Sequence, residues 1–239
     1  MYHKIQCIKN LEISSVCSLA CPYCPCKDQG EHRPVGFMTE EVFEKSLEWL
    51  SVFVRNGTQA ELNFFGVGES LLHPNFMDML QRTRYVMPSY LPLIMNTNGT
   101  HLTEQLVRQM MDIGLDKIDI TDHEAIVTMR AIKIFRKVGI RFGYSRDAII
   151  NPNNWGGLVK GWVEEVEHTR VLCPWLSRGQ VMVMSNGDVT RCCQDAFARG
   201  LLGTVFDNLL EIDHTPFSQC RTCHEDVPMG MKIKEKETA

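Results

Sequence analysis

Length, composition and charge narrow the classes of protein to which this chain can belong. It has 239 residues, of which 44% are hydrophobic and 23% charged, as is usual for one large globular domain or a domain with a small appendage. The net charge of −4 provides no basic field that would attract nucleic acid or an anionic membrane. No apolar run approaches the roughly 20 residues that cross a bilayer. The first residues do not lead into a signal-peptide-like segment, so we expect a cytoplasmic protein.

Ten cysteines are the unusual feature of this composition. In a reducing compartment they indicate metal or redox chemistry rather than disulfides. They form an N-terminal group and a C-terminal group, and the body between Cys26 and Cys173 contains none. The first group comprises Cys7, Cys17, Cys21, Cys24 and Cys26, and the second comprises Cys173, Cys192, Cys193, Cys220 and Cys223. This distribution predicts two metal sites on two structural units.

The body between the two groups alternates between predicted strands and predicted helices. The strands fall at 11–14, 61–65, 93–95, 117–121 and 140–144, and the helices at 39–50, 76–86, 103–111 and 125–137. Strands that alternate with helices indicate a parallel sheet with right-handed crossovers. The repeat is too short for a closed eight-unit barrel. We therefore expect an α/β fold with a partial, open β/α barrel whose site lies just after the strand ends.

Local signals fix several ends of these elements. Thr39 and Thr103 are predicted N-caps, and Gly114 is predicted to end its helix in the left-handed conformation. Farther along, Asn186-Gly187 separates alternating runs at 180–184 and 188–192, which is a strong signal for a β-hairpin.

The spacing Cys17-x-x-x-Cys21-x-x-Cys24 carries most of the chemical information in the N-terminal group. Three thiolates on a short loop can bind three irons of a 4Fe–4S cluster and leave the fourth iron open. Cys26 is a possible fourth ligand, although two residues is a short separation for another corner of the cluster. The alternative is a zinc site in which His32 completes three cysteines, but zinc ligands usually come as paired short spacings.

This spacing after a first strand resembles the radical S-adenosylmethionine (SAM) superfamily. Tyr23 matches the superfamily's aromatic position near the adenine, and Gly68-Glu69 resembles the motif that binds the amino group of SAM. Ser70 replaces the proline that usually follows. The segment that contains Asn96 and Asn98 resembles the Thr-Asn-Gly end of the next strand. The resemblance implies a SAM-binding 4Fe–4S cluster, reductive cleavage of SAM and a 5′-deoxyadenosyl radical that removes a substrate hydrogen.

The C-terminal group supplies four further candidate ligands, Cys173, Cys192, Cys220 and Cys223. Their spacing alone is compatible with either a closed 4Fe–4S cluster or structural zinc. The pattern resembles the twitch domain, a shortened SPASM domain, and this resemblance implies an auxiliary 4Fe–4S cluster in a small β-hairpin/α domain. Cys193 is an alternative to Cys192, although the Gly-x-Val-x-x-Cys register favours Cys192. Cys7, Cys26 and Cys193 are then spare thiols packed as small hydrophobic groups.

The arrangement is most similar to the twitch-bearing dehydrogenases of aminoglycoside biosynthesis. That similarity implies a two-electron oxidation of a small polar substrate, with the auxiliary cluster as electron acceptor and a flavodoxin or ferredoxin as electron donor. Asp122 and His123 are candidates for the base that accepts the proton, although Asp122 is more readily explained as a helix N-cap. Arg146 and Asn154 are candidate hydrogen-bonding groups, and Trp155 is interpreted as a packing residue.

Three other functions remain open at this point. A redox-neutral epimerase would return hydrogen to the substrate radical, with Cys193 or Cys26 as donor. A peptide-modifying enzyme is disfavoured because no leader-binding segment is recognisable. A non-catalytic iron–sulfur protein would leave Gly68-Glu69 without a role. The predicted organisation is a radical SAM barrel at 1–145, a connector at 146–169 and a twitch-like domain at 170–239.

Overall fold

A computed structural model describes residues 2–145, 155, 158–159, 173–208, 211–213 and 215–223. The predicted connector at 146–169 falls largely outside the described residues, and so do Arg146 and Asn154. No helix in the described part of the chain combines the length and the apolar character needed to cross a bilayer.

Strands and helices alternate through the N-terminal part and give way to a hairpin in the C-terminal part. The described strands are β1 Tyr2–Lys4, β2 Cys7–Leu11, β3 Leu62–Phe64, β4 Leu93–Thr97, β5 Lys117–Thr121, β6 Arg141–Ser145, β7 Gln180–Val183, β8 Asp188–Thr190, β9 Leu201–Thr204 and β10 Glu211–Asp213. The described α-helices are α1 Glu40–Arg55, α2 Phe76–Val86, α3 Glu104–Ile113, α4 Ala125–Val138 and α5 Pro174–Ser177.

Eight of these strands form one open sheet in the order β6-β5-β4-β3-β2-β7-β8-β9. Strands β2 to β6 pair in parallel, as expected when each strand is followed by a helical crossover. The sheet does not close on itself, which confirms the predicted open α/β barrel. A separate two-stranded sheet pairs β1 with β10.

The C-terminal hairpin belongs to the same sheet as the barrel strands. Strands β7 and β8 pair antiparallel around Gly187, whose φ of 90° is the left-handed value that the predicted Asn-Gly turn requires. Strand β7 also pairs in parallel with β2, from Cys7 opposite Gln180 to Leu11 opposite Val183. This pairing attaches the second group of cysteines directly to the strand that precedes the first group.

Side chains from the strands and helices form one large hydrophobic core, and Val67, Ala196 and Phe197 form a second, small cluster. On α1 the predicted inner face is buried, with Phe43 fully inaccessible. The predicted caps are also confirmed, because Thr39 Oγ1 accepts from Val42 N at 3.3 Å and Thr103 Oγ1 from Leu106 N at 3.1 Å. Gly114 ends α3 with a φ of 111°, as predicted.

The first barrel strand lies earlier than the sequence predicts. The prediction placed it at 11–14, whereas β2 ends at Leu11. Beyond that point the chain pairs with the loop that follows the first cysteines, since Met38 N donates to Ile13 O and Ser15 N donates to Gly36 O. Leu11 and Ile13 are both buried, although only Leu11 belongs to the strand, so hydrophobicity alone does not locate the end of the strand.

Candidate active site

The segments that follow β3, β4, β5 and β6 converge on one cavity of about 250 Å³. The carboxyl ends of parallel strands meet at the same edge of a sheet, where α/β proteins commonly place their sites. The described lining combines thiol, aromatic, amide, hydroxyl, imidazole and carboxylate groups. It comprises Cys17, Leu19, Cys21, Tyr23, Cys24, Phe65, Gly66, Val67, Gly68, Glu69, Asn96, Thr97, Asn98, Thr121, His123, Ser145, Trp155 and Gln194.

The three predicted cluster ligands all line this cavity. Cys17, Cys21 and Cys24 follow the first barrel strand on a loop that continues into a 3₁₀ turn at Pro25–Lys27. Cys26 is not among the lining residues, and its thiol instead hydrogen-bonds to Cys17. The geometry therefore keeps Cys26 out of the cavity lining, although all four cysteines lie within ten residues of sequence.

The electrostatics of these thiols suit a positively charged occupant. The hydrogen bond from Cys26, together with those from Leu19 N and Asn98, lowers the pKa of Cys17 to about 6. Burial raises the pKa of Cys24 to about 12 and also raises that of Cys21. A thiolate at either buried position therefore requires a compensating cation, and a bound metal ion deprotonates its thiol ligands.

The arrangement favours an iron–sulfur cluster over the alternative zinc site. No three His, Cys, Asp or Glu side chains among the described residues converge on a single metal ion. The predicted zinc ligand His32 is exposed, packs its ring 4.1 Å from that of Phe197 and does not line the cavity. A 4Fe–4S cluster needs thiols that bind different irons around a cavity, which Cys17, Cys21 and Cys24 provide.

Glu69 contributes a buried carboxylate to the same cavity. Its oxygens accept hydrogen bonds from Thr97 Oγ1 at 3.0 Å, Asn98 N at 2.8 Å and Leu71 N at 3.2 Å. Burial raises the pKa of Glu69 to about 7, because the charged form loses its hydration. A carboxylate held in this way is suited to pair with an ammonium group.

Two glycines allow the chain to pass close to the base of this site. A Cβ at Gly68 would overlap the backbone of Ser14 and Ser15, and a Cβ at Gly66 would overlap the side chain of Glu12. Glycine is therefore required at both positions by close approach. Gly68 in this way brings Glu69 beside the cysteine loop, where Glu69 N donates to Val16 O at 2.8 Å.

Both predicted asparagines lie at the cavity after β4. Asn98 Nδ2 approaches Cys17 Sγ at 3.7 Å, and its Oδ1 accepts from Thr100 N at 2.9 Å. Asn96 also lines the cavity at the carboxyl end of the strand. The segment thus connects the thiol side of the cavity to the carboxylate side.

Tyr23 and His123 form a pair across the cavity wall. Tyr23 OH shares a hydrogen bond with His123 Nδ1 at 2.9 Å, and the rings stack with centroids 5.7 Å apart. The same nitrogen lies 3.6 Å from Cys21 Sγ. Burial lowers the pKa of His123, which favours a neutral imidazole.

Asp122 lies next to His123 in sequence but is not among the described lining residues. Its carboxylate accepts from Thr128 Oγ1 at 2.9 Å and from Tyr144 OH at 2.8 Å. The interpretation of Asp122 as a helix N-cap is wrong, since the N-cap of α4 is Glu124. Asp122 instead links the end of β5 to α4 and β6.

The four candidate ligands of the C-terminal group surround a second and much smaller cavity of about 20 Å³. Its described lining comprises Cys173, Leu176, Arg191, Cys192, Phe217, Gln219, Cys220 and Cys223. All ten cysteines of the chain are free thiols. Four thiols line this cavity together with the cationic Arg191, and four cysteines are the number of ligands that a fully ligated iron–sulfur cluster needs.

Cys193 does not line the second cavity. Its thiol hydrogen-bonds to Cys192, and this bond together with burial raises the pKa of Cys192 well above its usual range. The backbone amide of Gln194 also donates to Cys192 Sγ at 3.4 Å. Adjacent residues therefore differ in orientation, and Cys192 is the one directed to the cavity.

Sequence reasoning missed several residues of the large cavity. Trp155, interpreted as a packing residue, stacks on Phe65 with ring planes 8° apart, and both rings line the cavity. Gln194 and Ser145 contribute polar groups from distant segments. The position of Gln194 directly after two cysteines was the only signal that pointed to it.

A buried ion pair, also missed, holds the two cysteine regions together. Arg33 donates to both carboxylate oxygens of Glu12 at 2.7 and 2.9 Å, and its Nε donates to Ala196 O at 2.8 Å. Glu12 further accepts from Val67 N at 2.9 Å and Ser185 Oγ at 3.2 Å. Because both charged groups are buried and fully hydrogen-bonded, loss of either partner is expected to be strongly destabilising.

Comparison with known proteins relates this site to one superfamily. Residues 11–121 match the family model described as the radical SAM superfamily. The chain is 34% identical over 109 residues to the tungsten-containing aldehyde ferredoxin oxidoreductase cofactor-modifying protein of Pyrococcus furiosus. The aligned residues make up 45% of this chain and 28% of that protein. It is also 29% identical over 113 residues to the S-adenosyl-L-methionine-dependent 2-deoxy-scyllo-inosamine dehydrogenase of Niallia circulans. This alignment makes up 47% of this chain and 43% of that enzyme.

Solved structures share the fold over most of the chain. BtrN in complex with AdoMet and 2-DOIA superposes with a TM-score of 0.68 and 21% identity, covering 87% of this chain and 81% of that one. BtrN in an open conformation gives a TM-score of 0.60 and 19% identity, and the match covers 86% of this chain and 78% of that one. The sequence matches span less than half of either relative's length, whereas the structural match covers 87% of this chain. Residues 11–121 of this chain are therefore similar in sequence to the radical SAM superfamily.

Proposed function

We propose that this chain is a radical SAM dehydrogenase that oxidises a hydroxyl-bearing carbon of a small polar substrate, of the aminocyclitol class. One observation carries the proposal: a single cavity joins the three thiols of the Cys17–Cys24 loop to the carboxylate of Glu69 and the amides of Asn96 and Asn98. The similarity to an aminocyclitol dehydrogenase over 113 residues supports this choice of substrate class.

The residues of the cavity have distinct roles in this proposal. Cys17, Cys21 and Cys24 hold a 4Fe–4S cluster, and Glu69 pairs with the ammonium of SAM. The site is well suited to that pairing, because three donors already orient the carboxylate and exclude water from it. When bound, the cluster and SAM supply the radical that removes one hydrogen atom from the substrate.

The remaining residues orient SAM within the cavity. Tyr23 offers a ring beside the thiols for the adenine, held by its bond to His123. Gly68 permits close approach of the backbone, while Asn96 and Asn98 supply hydrogen-bonding groups at the end of β4. Preorganised groups of this kind lower the entropy cost of placing the reacting atoms together.

Oxidation also requires that the substrate lose a proton and one electron, so that a CH–OH group becomes a ketone with two hydrogens removed in total. Cys173, Cys192, Cys220 and Cys223, in a twitch-like unit at 170–239, would hold a second 4Fe–4S cluster, which would supply an acceptor for that electron. Four thiols around a cavity of about 20 Å³ support a closed site that binds no substrate.

His123 is the proposed proton acceptor because it lines the cavity and its lowered pKa favours the neutral form. Asp122 is proposed to position His123 without accepting the proton itself. Its hydrogen bonds with Thr128 and Tyr144 hold the end of β5, which His123 follows. The thiol ligands require a reducing compartment, so we place the protein in the cytoplasm, with a flavodoxin or ferredoxin as electron donor and no nucleic acid or membrane partner.

The product mass tests the function directly. The protein is reconstituted anaerobically with iron and sulfide and incubated with SAM, a reductant and 2-deoxy-scyllo-inosamine. We expect a product lighter by two hydrogens and 5′-deoxyadenosine in equal amount. An unchanged mass with altered stereochemistry would identify an epimerase instead, although neither Cys26 nor Cys193, the candidate hydrogen donors, lines the cavity. Absence of SAM cleavage would overturn the assignment altogether.

A further inference from the structure

Gln219 lies between the two cysteine cavities and touches the walls of both. It lines the small cavity and directly precedes Cys220 in the turn Ser218–Thr222. Its Nε2 donates to Gln194 O at 2.7 Å and to Trp155 O at 3.3 Å. Trp155 and Gln194 both line the large cavity. One side-chain amide thus connects the second group of cysteines to the cavity where substrate is proposed to bind.

The two donated bonds determine the orientation of this side chain. Gln219 is only 3% exposed, so its amide has little access to water. Its Oε1 finds no hydrogen-bond donor among the described residues. The orientation therefore depends on Nε2 and its two carbonyl acceptors, and a buried amide with unpaired donors would be unfavourable.

The backbone of Trp155 is strained at this point of the cavity wall. Its φ is 51°, in the left-handed region that bulky residues rarely adopt and that carries an energetic cost for them. Its ring stacks on Phe65 in the cavity wall. The Trp155 carbonyl accepts from Gln219 Nε2 and also from Leu158 N, each at 3.3 Å, so Gln219 is one of two donors that hold the peptide group next to this strained residue. The bond from Gln219 therefore contributes to the position of the ring.

We propose that Gln219 is a positioning residue that fixes the cavity wall formed by Trp155 and Gln194 to the second cysteine site. Because the substrate part of this role rests on the proposed function, it is tested by two independent measurements. The first is hydrogen–deuterium exchange of the wall itself, and the second is the KM for substrate.

The test uses Gln219→Met and Gln219→Glu in the reconstituted protein. Methionine keeps the length of the side chain without any donor, and glutamate keeps its shape but replaces Nε2 with an oxygen. Gln59→Met is the matched control, since Gln59 is also 3% exposed and its Nε2 also donates to two carbonyls, Ile8 O at 2.7 Å and Glu61 O at 2.7 Å, outside both cavities.

In both Gln219 variants, amide exchange should rise about tenfold in peptides that contain Trp155 or Gln194, as expected for the loss of two buried hydrogen bonds. Peptides that contain Cys17 to Cys24 should be unchanged. In Gln59→Met the increase should be confined to the region of Ile8 and Glu61. Unchanged exchange at Trp155 and Gln194 in both Gln219 variants would overturn the inference, as would the same increase in Gln59→Met.

The kinetic measurement uses 2-deoxy-scyllo-inosamine as substrate. We expect KM to rise about tenfold in both Gln219 variants, while SAM cleavage without substrate stays at the wild-type rate. A proportional fall in both activities would indicate a merely structural role. If the wild-type protein does not oxidise this probe, the proposed function fails, and the exchange measurement still decides the role of Gln219. If Gln219→Met does not fold, Gln219→Glu decides it.

Discussion

The two cysteine-lined cavities differ in size and in what surrounds them. The first measures about 250 Å³ and has three thiols on one side, with carboxylate, amide and aromatic groups on the others. The second measures about 20 Å³ and has four thiols around it. A cluster in the first cavity would keep a face toward open space, so this cavity is called the open site. A cluster in the second cavity would be surrounded by protein, so this cavity is called the enclosed site. The contrast fits the proposal that one site binds small molecules and that the other transfers electrons.

The difference follows from how each cavity is built. The first lies at the carboxyl ends of parallel strands, whose divergent loops leave space between them. The second lies between α5, the end of the β7–β8 hairpin and the turn Ser218–Thr222, all of which are short and closely packed. Cysteine thiols line both cavities, but the secondary-structure elements around them leave the first cavity more space than the second.

The largest expected effect comes from removing the ligands of the open site. Replacing Cys17, Cys21 and Cys24 together with alanine should abolish reductive SAM cleavage, with a loss of at least about a thousandfold, because no cluster remains to bind SAM. Formation of 5′-deoxyadenosine measures this. Cys26→Ala is the comparison and should retain cleavage. If Cys26→Ala is equally inactive, Cys26 is a fourth ligand and the first site is not open.

Replacing either of two adjacent cysteines, Cys192 or Cys193, should have different effects on the iron content of the enclosed site. Cys192→Ala should lower the iron content from about eight to about four per chain, whereas Cys193→Ala should leave it near eight, since only Cys192 lines the cavity. Iron and zinc analysis of the reconstituted proteins measures both. Stoichiometric zinc in the wild-type protein would remove the second site from electron transfer. Cys193→Ala with halved iron would reverse the assignment of the ligand.

Glu69 should give the open site a pH dependence that the enclosed site lacks. Its pKa is raised to about 7, so below that pH the carboxyl becomes protonated and no longer pairs with the ammonium of SAM. SAM should bind about tenfold more weakly one pH unit below this pKa than well above it. In Glu69→Gln the affinity should be low throughout, and the dependence should disappear. Equilibrium binding between pH 6 and 8 measures this, and an unaltered profile in Glu69→Gln would exclude Glu69 as its source.

The smallest effect is expected from the hydroxyl group of Tyr23. Tyr23→Phe keeps the ring beside the thiols and loses only the hydrogen bond to His123, so SAM should bind about threefold more weakly. Tyr23→Leu, which also removes the ring, should have the larger effect. Calorimetry on the reconstituted variants compares them. Equal affinities for the two variants would mean that the ring makes no contact with SAM.

Local signals in the sequence accounted for much of the fold. Thr39, Thr103 and Gly114 have the predicted roles because a cap depends on one side chain or one backbone angle. The residues of the open site were also predictable, since Cys17 to Cys24 and Gly68-Glu69 form short motifs. Their meeting at one cavity follows from the order of parallel strands.

Contacts between distant segments were not predictable. The pairing of β7 with β2 joins strands separated by most of the chain, and no local pattern specifies it. No local pattern pairs Arg33 with Glu12, because only the tertiary structure brings the two side chains together and buries them. The hydrogen bonds from Gln219 to Gln194 and Trp155 belong to the same class. The prediction that Asp122 is a helix N-cap failed for a different reason. Its carboxylate accepts from a hydroxyl group in α4 and another in β6 rather than from a backbone amide.

The contrast between an open and an enclosed site is tested most directly by the response of each cluster to SAM. Two variants isolate the clusters: the triple alanine variant of Cys17, Cys21 and Cys24 retains the second, and the double alanine variant of Cys220 and Cys223 retains the first. Electron paramagnetic resonance of the reduced proteins, with and without SAM, should show a spectral change in the double variant and none in the triple variant. A SAM-dependent change in the triple variant, or no change in the double variant, would contradict the assignment of the two sites.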